Sequence, residues 1–274
     1  MNPETQRTFK VAITLCLICS VIVAALAVGL KGIQEEQKTA YRQQSILKAA
    51  GLWKDGADSK ELFDQKIQTL AVDLEDNKPE EGDFTSEKFD VEKALRNPEL
   101  HEELSPADDV AGLKKIEKYP LIYQIKGDDA QVYVLPIRGK GLWSTLYGFI
   151  AVDLSEATAG HPEDVKVRGL TYYKDGETPG LGGEVNNPGW QAKWPGRRIY
   201  DGNGDVQLQV SKRVVDEYQV DALSGATLTS NGVTNMLKFW LGDHGFGPFL
   251  KSLISANPAS ATTAAVGAKE QHPQ

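Results

Sequence analysis

The 274-residue chain is 41% hydrophobic and 25% charged, an ordinary globular composition with room for one large domain or two small ones. Its 30 basic and 38 acidic side chains give a formal charge of −8, which speaks against a nucleic-acid partner, because neutralising phosphates needs clustered Lys and Arg. His101, His161, His244 and His272 lack ligand spacing and both cysteines fall in one apolar run, so neither metal-dependent hydrolysis nor a thiol nucleophile has support.

Taken in chain order, the first feature is VAITLCLICSVIVAALAVGL, residues 11–30, without a charge over 20 positions. As a helix it spans roughly 30 Å, one bilayer core. A cleaved signal peptide competes, with Ala25-Leu26-Ala27 as its cleavage site, but the apolar run continues to Leu30, which favours an uncleaved anchor. Arg7 and Lys10 before the span are balanced by Lys31, Lys38 and Arg42 after it, so charge leaves the orientation open. Cys16 and Cys19 form a C-x-x-C inside the span. They read as small apolar residues, with a metal centre shared with partner membrane helices as the alternative.

Residues 31–50 are rich in helix formers and predict a helix leaving the membrane, with Gly51 as its stop. From Val72 to Asp109 the chain is acidic and broken by Pro79, Pro98 and Pro106, with Phe84 and Phe89 among its few apolar residues. This predicts solvated surface with short helices, so residues 31–120 form a membrane-proximal helical and acidic region. Strand patterns begin near Leu121 and are clear over 130–139, 147–154 and 165–173. Residues 174–190, KDGETPGLGGEVNNPGW, hold five glycines and two prolines and predict a long functional surface loop. A strand over 205–213 leads towards SGATLTS (224–230), then a helix over NGVTNMLKFWL, and finally a flexible tail over 257–274. The fold class expected is α+β: one N-terminal transmembrane helix and one soluble mixed α/β domain over 121–256.

SGATLTS admits two readings from its residues alone. Its hydroxyls suit an ordinary helix N-cap. They also suit a phosphate site, since Gly225 permits a tight backbone path and Ser224, Thr227, Thr229 and Ser230 surround a helix N-terminus. A P-loop is excluded because no lysine follows until Lys238, and a serine nucleophile lacks a nearby histidine base.

The segment Asp221–Ser230, DALSGATLTS, resembles the flavin-attachment motif D-x-x-[S/T]-G-A-[S/T] of FMN-binding domains in bacterial membrane redox complexes. The C-x-x-C in the apolar span, QEEQ (34–37), GLWS (141–144) and ETPGLG (177–182) extend the likeness over residues 5–255. Together they are similar to the family of C subunits of Na⁺-translocating NADH:quinone oxidoreductases. The G subunit of the related Rnf complex shares ETPGLG and SGAT, whereas the N-terminal head and GLWS favour the C-type family.

The resemblance implies an inner-membrane protein with residues 1–10 in the cytoplasm and its soluble domain in the periplasm. It implies FMN joined by a phosphoester to Thr227, placed there by a separate flavin transferase with FAD as donor, and electron relay between neighbouring subunits. Ser224, Gly225, Ala226 and Thr229 would complete the attachment site, and Asp221 would help position or deprotonate the acceptor hydroxyl. Trp143, Glu177, Thr178, Gly180 and Leu181 are candidates to wall the isoalloxazine. Their plain structural readings are a core tryptophan and an ordinary Gly/Pro loop. No G-x-G-x-x-G follows a strand, so no NADH site is expected on this chain. The alternatives are a G-type Rnf subunit and a membrane-anchored phosphate-binding or scaffold module without redox role.

Overall fold

A computed structural model describes residues 3–80 and 89–256; Phe84 and the tail expected over 257–274 lie outside the described residues. The chain divides into two units, meeting between Arg42 and Gln43.

In the first unit, helix α1 (Pro3–Ala49) begins, and the segment from Val11 to Leu30 exposes its apolar side chains all round. The helix is long and apolar enough to cross a membrane. A helix suits that solvent because every interior backbone donor and acceptor is satisfied within the segment. Cys16 and Cys19 are free and exposed, one helical turn apart.

The second unit takes up the last turns of α1, where Ile46, Leu47, Ala49 and Ala50 are buried. Gly51 stops the helix at φ +73°, with its N–H on the Lys48 carbonyl (3.0 Å) and Leu52 N–H on the Leu47 carbonyl (2.8 Å). That paired closure is a Schellman end, which favours glycine for its left-handed residue. Helix α2 (Ser59–Lys66) follows, capped by the Asp58 carboxylate, which accepts from the Lys60 and Glu61 amides.

The remaining elements are β1 (Ile67–Asp73), β2 (Lys78–Glu80), α3 (Val91–Ala94), β3 (His101–Glu103), β4 (Lys115–Glu117) and β5 (Leu121–Ile125). After them come β6 (Val132–Lys140), β7 (Thr145–Asp153), β8 (Lys166–Lys174), α4 (Pro188–Gln191), β9 (Gln209–Ser211), β10 (Gln219–Asp221), α5 (Thr227–Leu241) and α6 (Gly247–Ala256). Six strands form one antiparallel sheet in the order β2-β1-β5-β6-β7-β8. Alternation along the strands feeds two cores. Val132, Val134, Phe149 and Ala151 pack with the end of α1, while Leu135, Ile137, Ile150 and Val152 pack with Val233, Met236, Leu237 and Trp240 of α5. Both faces of the sheet are therefore covered.

Close backbone approaches fix α5 against the end of β6. A Cβ on Gly139 would lie 2.7 Å from Met236 Cβ, and one on Gly232 would run into the Lys140 carbonyl. Trp240 Nε1–H donates to the Arg138 carbonyl at 2.7 Å, and the Arg138 guanidinium, paired with buried Glu117, stands over the Trp240 ring. The first turn of α5 is thereby held beside the β6–β7 turn that carries GLWS.

Two elements differ from the expectation. The sheet crosses the boundary drawn at residue 120, because β1 pairs with β5 over Ile67–Ala71, and Phe89 and Ala94 are buried within the stretch read as acidic surface. The strand expected over 205–213 shortens to β9. Asp201 accepts from the Asn203 and Asp205 amides to make a turn, and Gln207 and Leu208 both donate to the Ile199 carbonyl instead of to a strand partner.

Candidate functional site

Helix α5 starts at Thr227 with Ala226 in the cap position and no side-chain hydrogen bond capping it. The plain N-cap reading of SGATLTS is thus corrected: its hydroxyls do other work. Thr229 and Ser230 are buried and engaged. Thr229 Oγ1 donates to Glu177 Oε2 at 2.8 Å, and Ser230 Oγ accepts from Leu223 N–H at 3.1 Å. Ser224, Gly225 and Thr227 are exposed, and the Thr227 hydroxyl makes no hydrogen bond to any described residue. The split follows from helix geometry: residues two apart lie about 200° round the axis, so a Thr229 facing inwards turns Thr227 outwards.

Glu177 is the centre of the arrangement. It is 7% exposed, and its carboxylate accepts from the amides of Leu142 (3.3 Å), Trp143 (3.0 Å) and Ser144 (3.0 Å), from Ser144 Oγ (3.2 Å) and from Thr229. Burial alone would raise its pKa, but the bonds from Thr229, Ser144, Trp143 and Leu142 outweigh burial and hold the carboxyl below its usual range. Glycines make room for it. A Cβ on Gly141 would stand 2.6 Å from Glu177 Oε1, and one on Gly182 would stand 2.7 Å from both Glu177 Oε2 and Thr229 Oγ1.

The loop beyond Glu177 is more ordered than a Gly/Pro surface loop suggests. Asp175 accepts from Glu177 N–H and from Asn186 Nδ2, while a 3-10 turn over Gly182–Asn186 and α4 return the chain, burying Val185 and Trp190. Thr178, Gly180 and Leu181 form the loop tip, with Gly180 at φ +77°. Leu181 reaches Gly225, whose φ is +69°; a Cβ there would lie 3.0 Å from Leu181 Cδ2.

Trp143 is not in the core: it is 69% exposed. With Leu142, Leu181 and Leu228, also exposed, it leaves apolar surface on the segments that Glu177 ties together. Asp221 ends β10 with its carboxylate on Lys193 Nζ (2.8 Å), and its carbonyl accepts from Trp190 Nε1 (2.8 Å). Its charge is engaged with Lys193 rather than with Thr227.

The structure therefore joins Trp143 and Thr229 through Glu177, sets Leu181 against Gly225, and places Thr178 and Gly180 on the same loop tip as Leu181. Ser144, Asp175, Gly182, Leu142 and Leu228 belong to the arrangement and escape the sequence reading as individual residues. Leu142, Ser144 and Gly182 lie inside the GLWS and ETPGLG segments and Leu228 inside SGATLTS, but Asp175 lies outside all of these motifs. Among the described residues no group of three or more His, Cys, Asp or Glu side chains could hold a metal ion.

These features suit a flavin mononucleotide. The uncapped N-terminus of α5 offers orphan amides and a favourable dipole for a phosphoryl group, beside an exposed, unengaged hydroxyl. The exposed apolar side chains next to it supply surface for a ring system.

Comparison with known proteins agrees. A family model described as "FMN-binding domain" matches residues 141–242, a span that includes GLWS, ETPGLG and α5. The chain is 42% identical over 263 residues to the C subunit of the Na(+)-translocating NADH-quinone reductase of Yersinia pestis, covering 92% of this chain and 94% of the relative. It is 44% identical over 264 residues to the C subunit of the same reductase in Pseudomonas aeruginosa, covering 91% and 96%. Among solved structures, Shewanella oneidensis NqrC superposes with a TM-score of 0.68 at 31% identity, over 77% of this chain and 95% of that one. The corresponding C subunit from Parabacteroides distasonis superposes with a TM-score of 0.60 at 26% identity, over 81% and 96%.

Proposed function

The chain belongs to the family of C subunits of Na⁺-translocating NADH-quinone reductases and carries its FMN-binding domain, and from that premise we propose that FMN is bound covalently, by a phosphoester to Thr227. The G-type Rnf and scaffold alternatives give way to the family assignment.

The observation that carries the proposal is the division of hydroxyls at the start of α5. Thr229 and Ser230 are buried and bonded, whereas Thr227 is exposed, at the helix N-terminus, with no partner among the described residues. An acceptor for a flavin transferase needs such a hydroxyl. In the attachment step Thr227 Oγ1 forms a bond to the flavin-side phosphorus of FAD as the P–O–P bond breaks, AMP leaves, and the hydroxyl proton passes to the transferase. Ser224, Gly225 and Ala226 form the small-residue approach, and Asp221 with its Lys193 partner marks the edge that the transferase would read.

When bound, FMN supplies one- and two-electron redox chemistry. This chain's residues would anchor and orient it: the first amides of α5 would receive the phosphoryl charge, and Trp143, Thr178, Gly180 and Leu181 would border the ring. A cofactor that never dissociates keeps its place through every turnover, which suits relay between redox centres of neighbouring subunits. Helix α1 anchors the chain in the inner membrane, and the soluble domain lies in the periplasm. Cys16 and Cys19 hold a metal only if partner helices supply further ligands.

The test is to express the chain with a flavin transferase, unfold it, and look for flavin fluorescence that stays with the polypeptide. Wild-type chain should retain it and Thr227→Ala should be dark while keeping its fold. Flavin lost from unfolded wild type would refute covalent binding.

A further inference from the structure

Glu177 raises a question that flavin contact does not answer. It is a buried carboxylate with five hydrogen-bond donors, all neutral, and no cation pairs with it among the described residues. A position needed only for packing would be filled at least as well by an apolar side chain, since burying a charge is costly. Two glycines, Gly141 and Gly182, are instead kept clear so that this carboxylate fits. Its bonds join three pieces of chain far apart in sequence: the β6–β7 turn, the loop that carries Glu177 itself, and the first turn of α5.

We propose that Glu177 is the positioning residue of the flavin-bearing threonine: one carboxylate sets the three segments in a single register and so fixes the direction of the Thr227 hydroxyl. The inference rests on the reading of Thr227 as the acceptor. The coupling is geometric. Glu177 holds Thr229 on the inner face of α5, and Thr227, about 200° away round the helix, is thereby presented outwards. The same carboxylate takes the Trp143 amide, so the backbone that carries the exposed tryptophan is set relative to the first turn of α5. Glu177 touches neither group's reacting atoms; it acts through Thr229 and the turn.

The experiment uses the full chain with purified transferase and FAD. The initial rate of covalent incorporation is measured against acceptor concentration, and the visible circular dichroism of the loaded flavin is recorded. Glu177→Gln keeps the volume but loses the charge and replaces one acceptor oxygen by an NH2 group. It should lower kcat for attachment on the order of 10- to 100-fold, as misplacement of a reacting atom does, with KM changed by less than about threefold. It should also weaken the visible dichroism of whatever flavin is attached. Thr229→Val, which removes a single bond, should shift both readouts in the same direction by less. Far-UV dichroism establishes that each variant is folded. A folded Glu177→Gln chain with wild-type kcat and wild-type visible dichroism would overturn the proposal, and Thr229→Val decides in the same way if Glu177→Gln does not fold. A wild-type chain that takes no flavin at Thr227 would instead overturn the acceptor reading, and this inference with it.

Discussion

Two regions of this chain leave large apolar side chains uncovered, and they do so differently. Along α1, Val11, Ile13, Leu17, Val23 and Leu26 point to every side of the helix, and the side-chain hydrogen bond within the apolar span, from Ser20 Oγ to the Leu17 carbonyl, stays inside the helix. Around the start of α5, the exposed Leu142, Trp143, Leu181 and Leu228 stand on segments tied to a buried carboxylate, close glycines and an unengaged hydroxyl. Exposure without organisation suits a solvent, the lipid, that asks only for apolarity and length. Exposure on a hydrogen-bonded frame suits a ligand that must sit in one orientation.

The sharpest break of this comparison is a pair of truncations. Deleting residues 1–42 should give a chain that needs no detergent and melts like the full-length soluble domain, whereas deleting 1–50 should abolish the cooperative transition. The difference is Ile46, Leu47, Ala49 and Ala50, which fill one core. At single-residue scale, Leu47→Ala should cost about 2–5 kcal/mol in denaturant unfolding, while Val21→Ala in the apolar span leaves that transition unmoved.

The frame under these segments should be next in sensitivity. Gly182→Ala places a methyl against Glu177 and Thr229 and should cost about 1–3 kcal/mol, read in the same way. Acid provides a further probe. Because the folded-state pKa of Glu177 is depressed, its stabilisation is fully present above its unfolded value of about 4.3 and is lost as pH falls through the lower folded-state value. Stability curves of wild type and Glu177→Gln should therefore converge on acidification below about pH 4.3; a gap that stays constant across that window would contradict the ionised clamp. The smallest effect should be at the exposed side chains themselves. Trp143→Ala should change stability by less than about 0.5 kcal/mol, since the ring is exposed, yet shift the bound flavin's absorption or reduction potential.

How far these features can be read in the sequence depends on the range of the interactions behind them. The apolar span and the Gly51 stop are local, set by composition and one left-handed residue, and they are legible. So are β6, β7 and β8, whose alternation is local too. Strand β1 is not, because IQTLAVD pairs with β5 across some fifty intervening residues that look like acidic surface. Trp143 reads equally as core or rim until its neighbours are known. SGATLTS looks like a cap because hydroxyls before a helix usually are one; the actual cap is Ala226, and the inward hydroxyls answer to Glu177 and Leu223. Glu177 itself lies in a recognisable motif, but its bond to Thr229, 52 residues away, is visible only in three dimensions.

The central claim is that Thr227 carries the flavin, and peptide mass mapping tests it most directly. Tryptic cleavage after Arg213 and Lys238 releases one peptide, Val214–Lys238, that contains all the hydroxyls of SGATLTS. In chain made with a transferase, this peptide should carry the mass of FMN less one water, with fragment ions assigning it to Thr227. An unmodified peptide, or the added mass on Ser224, Thr229 or Ser230, would contradict the account.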